Sequence, residues 1–189
     1  MIDSIVSSKA AMLEDPMWED RPRAGRGKGI GRGIGDGVGD GTGGRPRRWE
    51  IEFPEGNTLE MYARQLDYFG IELGILLPDG KVVYAFHFTR PKPDSRTGSA
   101  EAEKRYYLTW RRGRDRLIAA DRELLARAGI PAEGKIIIKF LPPKVEAELA
   151  ALEKQYADQR GEKRIRKTVF RIRPEGQGYA FLVSEQTYE

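Results

Sequence analysis

The sequence contains no cysteine. That excludes disulfides, thiolate nucleophiles and zinc sites built on sulfur. It leaves the compartment open, because an exported protein need not carry disulfides. Histidine is almost missing as well. His87 stands alone, and a single histidine without cysteine cannot form the usual zinc sites. Long apolar runs are also lacking. A membrane span needs about 20 consecutive apolar residues. Stretches such as residues 71–77 are far shorter, and that one is broken by Glu72. Residues 1–12 carry Asp3 and Lys9 and lack the ~7–15-residue apolar stretch of a secretory signal. No membrane span is expected, and the cytoplasm is the default address. Aromatic residues are absent between Trp18 and Trp49.

What is present is charge, unevenly placed. The net charge of the 189 residues is +4. Residues 1–20 hold one Lys and five acids. Residues 21–48 hold eight Arg or Lys against two Asp, and residues 49–189 hold 24 basic and 22 acidic residues. The basicity belongs to the middle segment, and the C-terminal part is close to neutral. A duplex-binding domain usually carries its basic footprint on the fold itself, so this distribution argues against that function.

Glycine defines the basic segment. Every second residue from Gly25 to Gly43 is glycine, and Gly44 follows. Only Ile30, Ile34 and Val38 could be buried there, too little to offset the ordering entropy. The expectation is a disordered Gly/Arg-rich spacer over residues 21–48, after a short, marginal N-terminal segment (1–20) that Pro16 would stop.

Residues 49–189 predict a single α+β domain. Trp49, Ile51 and Phe53 alternate with Glu50 and Glu52, as in a half-buried strand. Asn57 or Thr58 caps a helix whose inner face is Leu59, Tyr62, Ala63, Leu66 and Phe69, and Gly70 stops it. Residues 71–77 form a strand. Pro78-Asp79-Gly80 turns into another strand on which Val82, Tyr84, Phe86 and Phe88 alternate. Residues 90–104 are polar and read as a long loop. A strand follows at Tyr106, Leu108 and Trp110, then a helix over residues 116–128 ended by Gly129. Residues 135–141, apolar on both faces, predict a central strand. Pro142-Pro143 opens a helix with the stripe Val145, Leu149, Leu152 and Tyr156, its Glu146, Glu148, Glu153, Lys144 and Lys154 forming a solvated face. A hairpin around residues 174–178 completes the chain. The order does not alternate strictly, so a doubly wound sheet is not expected. A mixed or largely antiparallel sheet of about six or seven strands with about three helices is.

The glycine tract invites three chemical readings. A dinucleotide fingerprint needs a strand before it and a helix after it, and neither is present. Glycine–aspartate calcium repeats need more oxygen ligands than Asp36 and Asp40 supply. An Arg/Gly segment can bind single-stranded nucleic acid through charge and stacking, with Arg21, Arg23, Arg26, Lys28 and Arg32 as the contacts. No catalytic constellation or metal set emerges, and no cofactor is implied; His87 reads as a structural or surface residue on the strand face opposite Tyr84, Phe86 and Phe88.

The layout of a low-complexity spacer feeding a small C-terminal α+β domain resembles the periplasmic parts of TonB, TolR and ExbD-type energy-transduction proteins. The tract 25–44, the junction RPRRWEIEF (residues 45–53) and the segment YARQLDYFGIEL (residues 62–73) carry the likeness. It implies a periplasmic address as the alternative and a place in a cell-envelope complex. The expected function is a non-enzymatic protein-interaction module, with Tyr68, Tyr107 and Trp110 as candidate partner surface. The alternative is single-stranded nucleic-acid binding through the arm.

Overall fold

The computed structural model describes residues 48–54, 57–109, 115–162 and 164–189. The N-terminal segment and the spacer up to residue 47 lie outside them, as do the five candidate nucleic-acid contacts and Trp110. The described elements are β1 (Trp49–Glu52), α1 (Leu59–Phe69), β2 (Glu72–Leu76), β3 (Lys81–Phe86), β4 (Asp94–Ser99), β5 (Tyr107–Thr109), α2 (Asp115–Arg127), β6 (Ile137–Phe140), α3 (Pro143–Asp158), β7 (Ile165–Glu175) and β8 (Gly178–Tyr188).

Local chemistry sets the element ends. Thr58 caps α1, its side chain accepting from the Met61 amide at 3.2 Å. Gly70 ends α1 at φ +66°, a left-handed conformation suited to glycine. Pro143 occupies the first turn of α3, where its missing N–H costs nothing.

The strands form two sheets. The larger is antiparallel throughout, in the order β4-β3-β2-β6-β5. The smaller is mixed, in the order β1-β7-β8: β1 runs parallel to β7, and β7 and β8 form a long hairpin. The fold is α+β, as the element pattern predicts. The second sheet was not legible, because β1 finds its partner Thr168–Arg171 more than a hundred residues away.

One apolar cluster draws on both sheets and all three helices, including Trp49, Leu66, Leu73, Leu124, Ile137, Leu149, Phe170 and Phe181. Each large side chain buried in this way contributes about 1.5–3 kcal/mol. A second cluster (Val82, Tyr84, Ala100, Tyr107, Ile138 and Phe140) lines the other face of the larger sheet. Gly74 admits it: a Cβ there would stand 2.8 Å from the Phe140 ring.

Four expectations change. Residues 94–99 form the edge strand β4, within the stretch expected to be loop. Its six residues pair with β3, yet both its sides are largely exposed, so no apolar alternation marks it. β3 ends at Phe86. His87 leaves the strand at φ +57°, and Phe88 is buried in the following turn, so His87 is not a mid-strand residue. The buried stripe of α3 is Val145, Leu149, Glu153 and Ala157; Leu152 and Tyr156 are only partly covered. Finally, Glu153 does not face solvent; it is 3% exposed.

Candidate functional site

Exposed backbone on a sheet edge is the simplest recognition device a β-structure can carry. Of the four sheet edges among the described residues, β5 is three residues long and β1 is four. Charged cross-strand pairs flank β1, with Lys167 Nζ 2.8 Å from Glu50 and Arg171 3.2 Å from Glu52. The β4 edge carries Asp94 and Arg96. β8 differs from all three. It is eleven residues long and bears one charge, Glu185. Among the described residues, no strand pairs with its outer side.

Tyr68 stands at the start of this edge. It is 56% exposed, and its ring packs edge-on against Tyr179 at 5.4 Å. The ring also lies over Gly178, where a Cβ would stand 2.5 Å from it. Glycine at 178 is therefore what lets the β7–β8 turn meet α1. Tyr107 lies elsewhere. It is 3% exposed in the second cluster, beside Phe140, so its side chain offers no partner surface here. The structure thus brings Tyr68 to β8 and separates Tyr107 from both.

Beneath the smaller sheet, Glu153 of α3 gathers a polar knot. Arg48 donates Nε and Nη2 to its two carboxylate oxygens at 2.8 and 2.5 Å. Thr168 Oγ1 donates at 2.6 Å, and Gln186 Nε2 donates to Thr168 Oγ1 at 3.1 Å. The knot ties β1, β7 and β8 to one helix. Beside it a cleft of about 400 Å³ opens, lined by Arg48, Trp49 and Tyr106 on one side and by Pro143, Glu146, Ala147, Ala150 and Glu153 of α3 on the other.

The larger sheet carries two further ionic groups. Lys139 of β6 is buried against Asp121 of α2, and Tyr62 Oη donates to the other Asp121 oxygen at 2.6 Å. Burial pulls the Lys139 ammonium down to about 8, with Asp121 opposing the shift. Burial, reinforced by the Asp121 charge, pushes the Tyr62 phenol well up. Sealed from water, the trio pins helices to sheet. The only sequence signal was a lysine inside the apolar run 136–141, which a two-sided strand must pair.

On the opposite face, Arg105 donates to Glu103 through Nε and Nη2 (3.0 and 2.8 Å) and to Glu72 through Nη1 (2.9 Å). Arg96 reaches Glu72 at 2.5 Å and lies 4.0 Å over the Tyr84 ring. Burial favours the neutral Glu103 acid, but hydrogen bonds from Arg105 and Tyr84 outweigh it and hold the carboxyl down at about 2. The Tyr84 phenol is pushed up to about 12 by burial and by Glu103. This network clasps residues 100–106 onto the sheet. At the β3–β4 turn, Asp67 accepts from the Phe88 and Thr89 amides at 2.8 Å each, and His87 Nδ1 lies 2.6 Å from Asp94.

Among the described residues, no group of three or more His, Asp or Glu is placed to hold a metal, and no helix is long and apolar enough to cross a membrane. No family model matches the chain, and neither a curated protein nor a solved structure matches it. The likeness to TonB, TolR and ExbD-type proteins thus has no relative to rest on and remains one of layout.

Proposed function

We propose that this protein is an interaction module that recruits an extended segment of another polypeptide by strand addition to β8. The observation that carries this reading is the contrast among edges: three are short or charged, and β8 is long and nearly uncharged. An added strand would draw affinity from main-chain hydrogen bonds and specificity from alternate side chains. Tyr68 supplies an aromatic anchor at one end, the residue type that most often dominates binding energy.

The test uses the intact chain as bait, beside a Leu182→Lys variant. Leu182 lies opposite Arg171, on the sheet face away from the core, so a lysine there guards the edge without entering the apolar cluster. The expected result is a specific partner held by the wild type and lost by the variant, with β8 amides protected from hydrogen exchange in the complex. A partner retained by the variant, or no partner at all, would sink the reading.

A further inference from the structure

β8 is not uniform along its length. Over residues 178–183 its pairing with β7 is regular, Gly178 facing Glu175 and Val183 facing Phe170. The register then slips, because Val169 faces Glu185. Ser184 is the extra residue of a bulge, and its Oγ turns back to donate to the Val169 carbonyl at 3.2 Å. The regular part of the edge is therefore residues 178–183, a stretch without a charge. Its side chains alternate. Tyr179, Phe181 and Val183 pack on the main apolar cluster, and Ala180 and Leu182 lie half-buried on the other face.

On the reading of β8 as a strand-accepting edge, we infer that its resting occupant is β8 of a second copy, paired antiparallel about a two-fold axis at Phe181. An axis normal to the sheet keeps each face on its own side. Tyr179 then meets Val183 of the copy, Ala180 meets Leu182, and Phe181 meets its equivalent. Apolar side chains thus face apolar side chains on both faces. The exposed Tyr68 ring, lying over Gly178, borders the copy's Ser184. The two Glu185 carboxylates, each four residues from the axis, stand roughly 25 Å apart along the strands. That is well beyond the screening length of about 8 Å. An axis at Ser184 or Glu185 would bring the charges within two residues of each other or directly opposite, and would run through the bulge. The copy also brings its strand already extended, so it avoids the ordering entropy that an unstructured segment loses on binding. Growth stops at two. The joined six-stranded sheet ends on both sides in β1, which is four residues long and flanked by charged pairs. Self-pairing hides the edge, so a foreign segment must displace the copy, and recruitment weakens as the protein is concentrated.

The full chain is followed by sedimentation equilibrium over a wide range of concentration. The apparent mass should rise twofold, from one copy to two and no further, and Leu182→Lys should hold it at one copy. The absence of cysteine makes the register readable. Ala180→Cys and Leu182→Cys chains, mixed and oxidised, should cross-link to each other several-fold faster than either does to itself, because residue 180 faces residue 182 of the copy. These variants add no charge to the edge, so they report the pairing even where the lysine disturbs folding. A full chain that stays at one copy throughout, a mass unchanged by Leu182→Lys, or cross-linking with no preference for the mixed pair would each overturn the inference. Capture of a partner separates this outcome from that of recruitment. A partner held by a chain that never dimerises overturns self-pairing and leaves recruitment standing. A twofold mass with no captured partner supports self-pairing and removes recruitment.

Discussion

The two sheets are finished in different ways. The five-stranded sheet ends in a three-residue strand on one side and a charged strand on the other, and each face is fastened by ionised side chains: Lys139 and Asp121 towards the helices, Arg105 with Glu72 and Glu103 on the reverse. The three-stranded sheet is fastened on one helix by Glu153 and left with a long, nearly uncharged edge. Under the proposed function the two sheets do different work. The larger sheet supplies rigidity. The smaller sheet presents main-chain donors and acceptors.

The largest expected effect comes from unfastening the larger sheet. Asp121→Ala leaves the Lys139 ammonium buried without its carboxylate and should cost roughly 3–5 kcal/mol, measured by urea denaturation. A loss below about 1 kcal/mol would mean that the pair does not pin the helices. Gly74→Val tests the reverse face. Its side chain must displace Phe140 or Val82, so a loss of about 1–3 kcal/mol is expected.

Next comes the knot of the smaller sheet. Glu153→Gln removes the charge facing Arg48, which is itself 31% exposed. Because water can reach Arg48, the cost should be smaller, about 1–2 kcal/mol. A cost equal to that of Asp121→Ala would erase the difference between the two fastenings.

Titration probes the fastenings of the larger sheet. The folded-state value of Lys139 is depressed, so the unfolded chain binds the extra proton between about pH 8 and the free-lysine range. Stability should therefore rise with pH across that window and flatten in Lys139→Met. The raised Tyr62 phenol works in the opposite sense above about pH 10. Glu103, held at about 2, contributes stability that is present above pH 4.5 and lost as pH falls towards 2. In Glu103→Gln that acid-limb loss should shrink. The smallest expected effect is that of Leu182→Lys on stability, within about 0.5 kcal/mol, even though the proposed binding is abolished.

Much of this fold is written in local chemistry. The Thr58 cap, the Gly70 stop, the Pro142-Pro143 start and the alternation of β1 are all visible in the chain, because each depends on residues within a turn of one another. Features that depend on distant partners are not. β4 is polar on both sides and is recognisable only beside β3. Glu153 looks like one more solvated helix acid until Arg48, 105 residues away, closes on it. Tyr68 stands out in the sequence as an aromatic near the end of a helix, and it is exposed in the structure. Its neighbourhood was hidden, because the turn it covers lies more than a hundred residues downstream.

The place where the chain enters the fold has a mechanical consequence. The Arg48 carbonyl accepts from the Thr168 amide at 2.8 Å, and its guanidinium is gripped by Glu153. From there β1 runs alongside β7 in the same direction. Tension applied to the preceding segment along the strand axis would load the β1–β7 rungs together, in shear, rather than peel them one at a time. With a partner strand lodged at β8, that pull would cross the three-stranded sheet from one edge to the other while bypassing the five-stranded one.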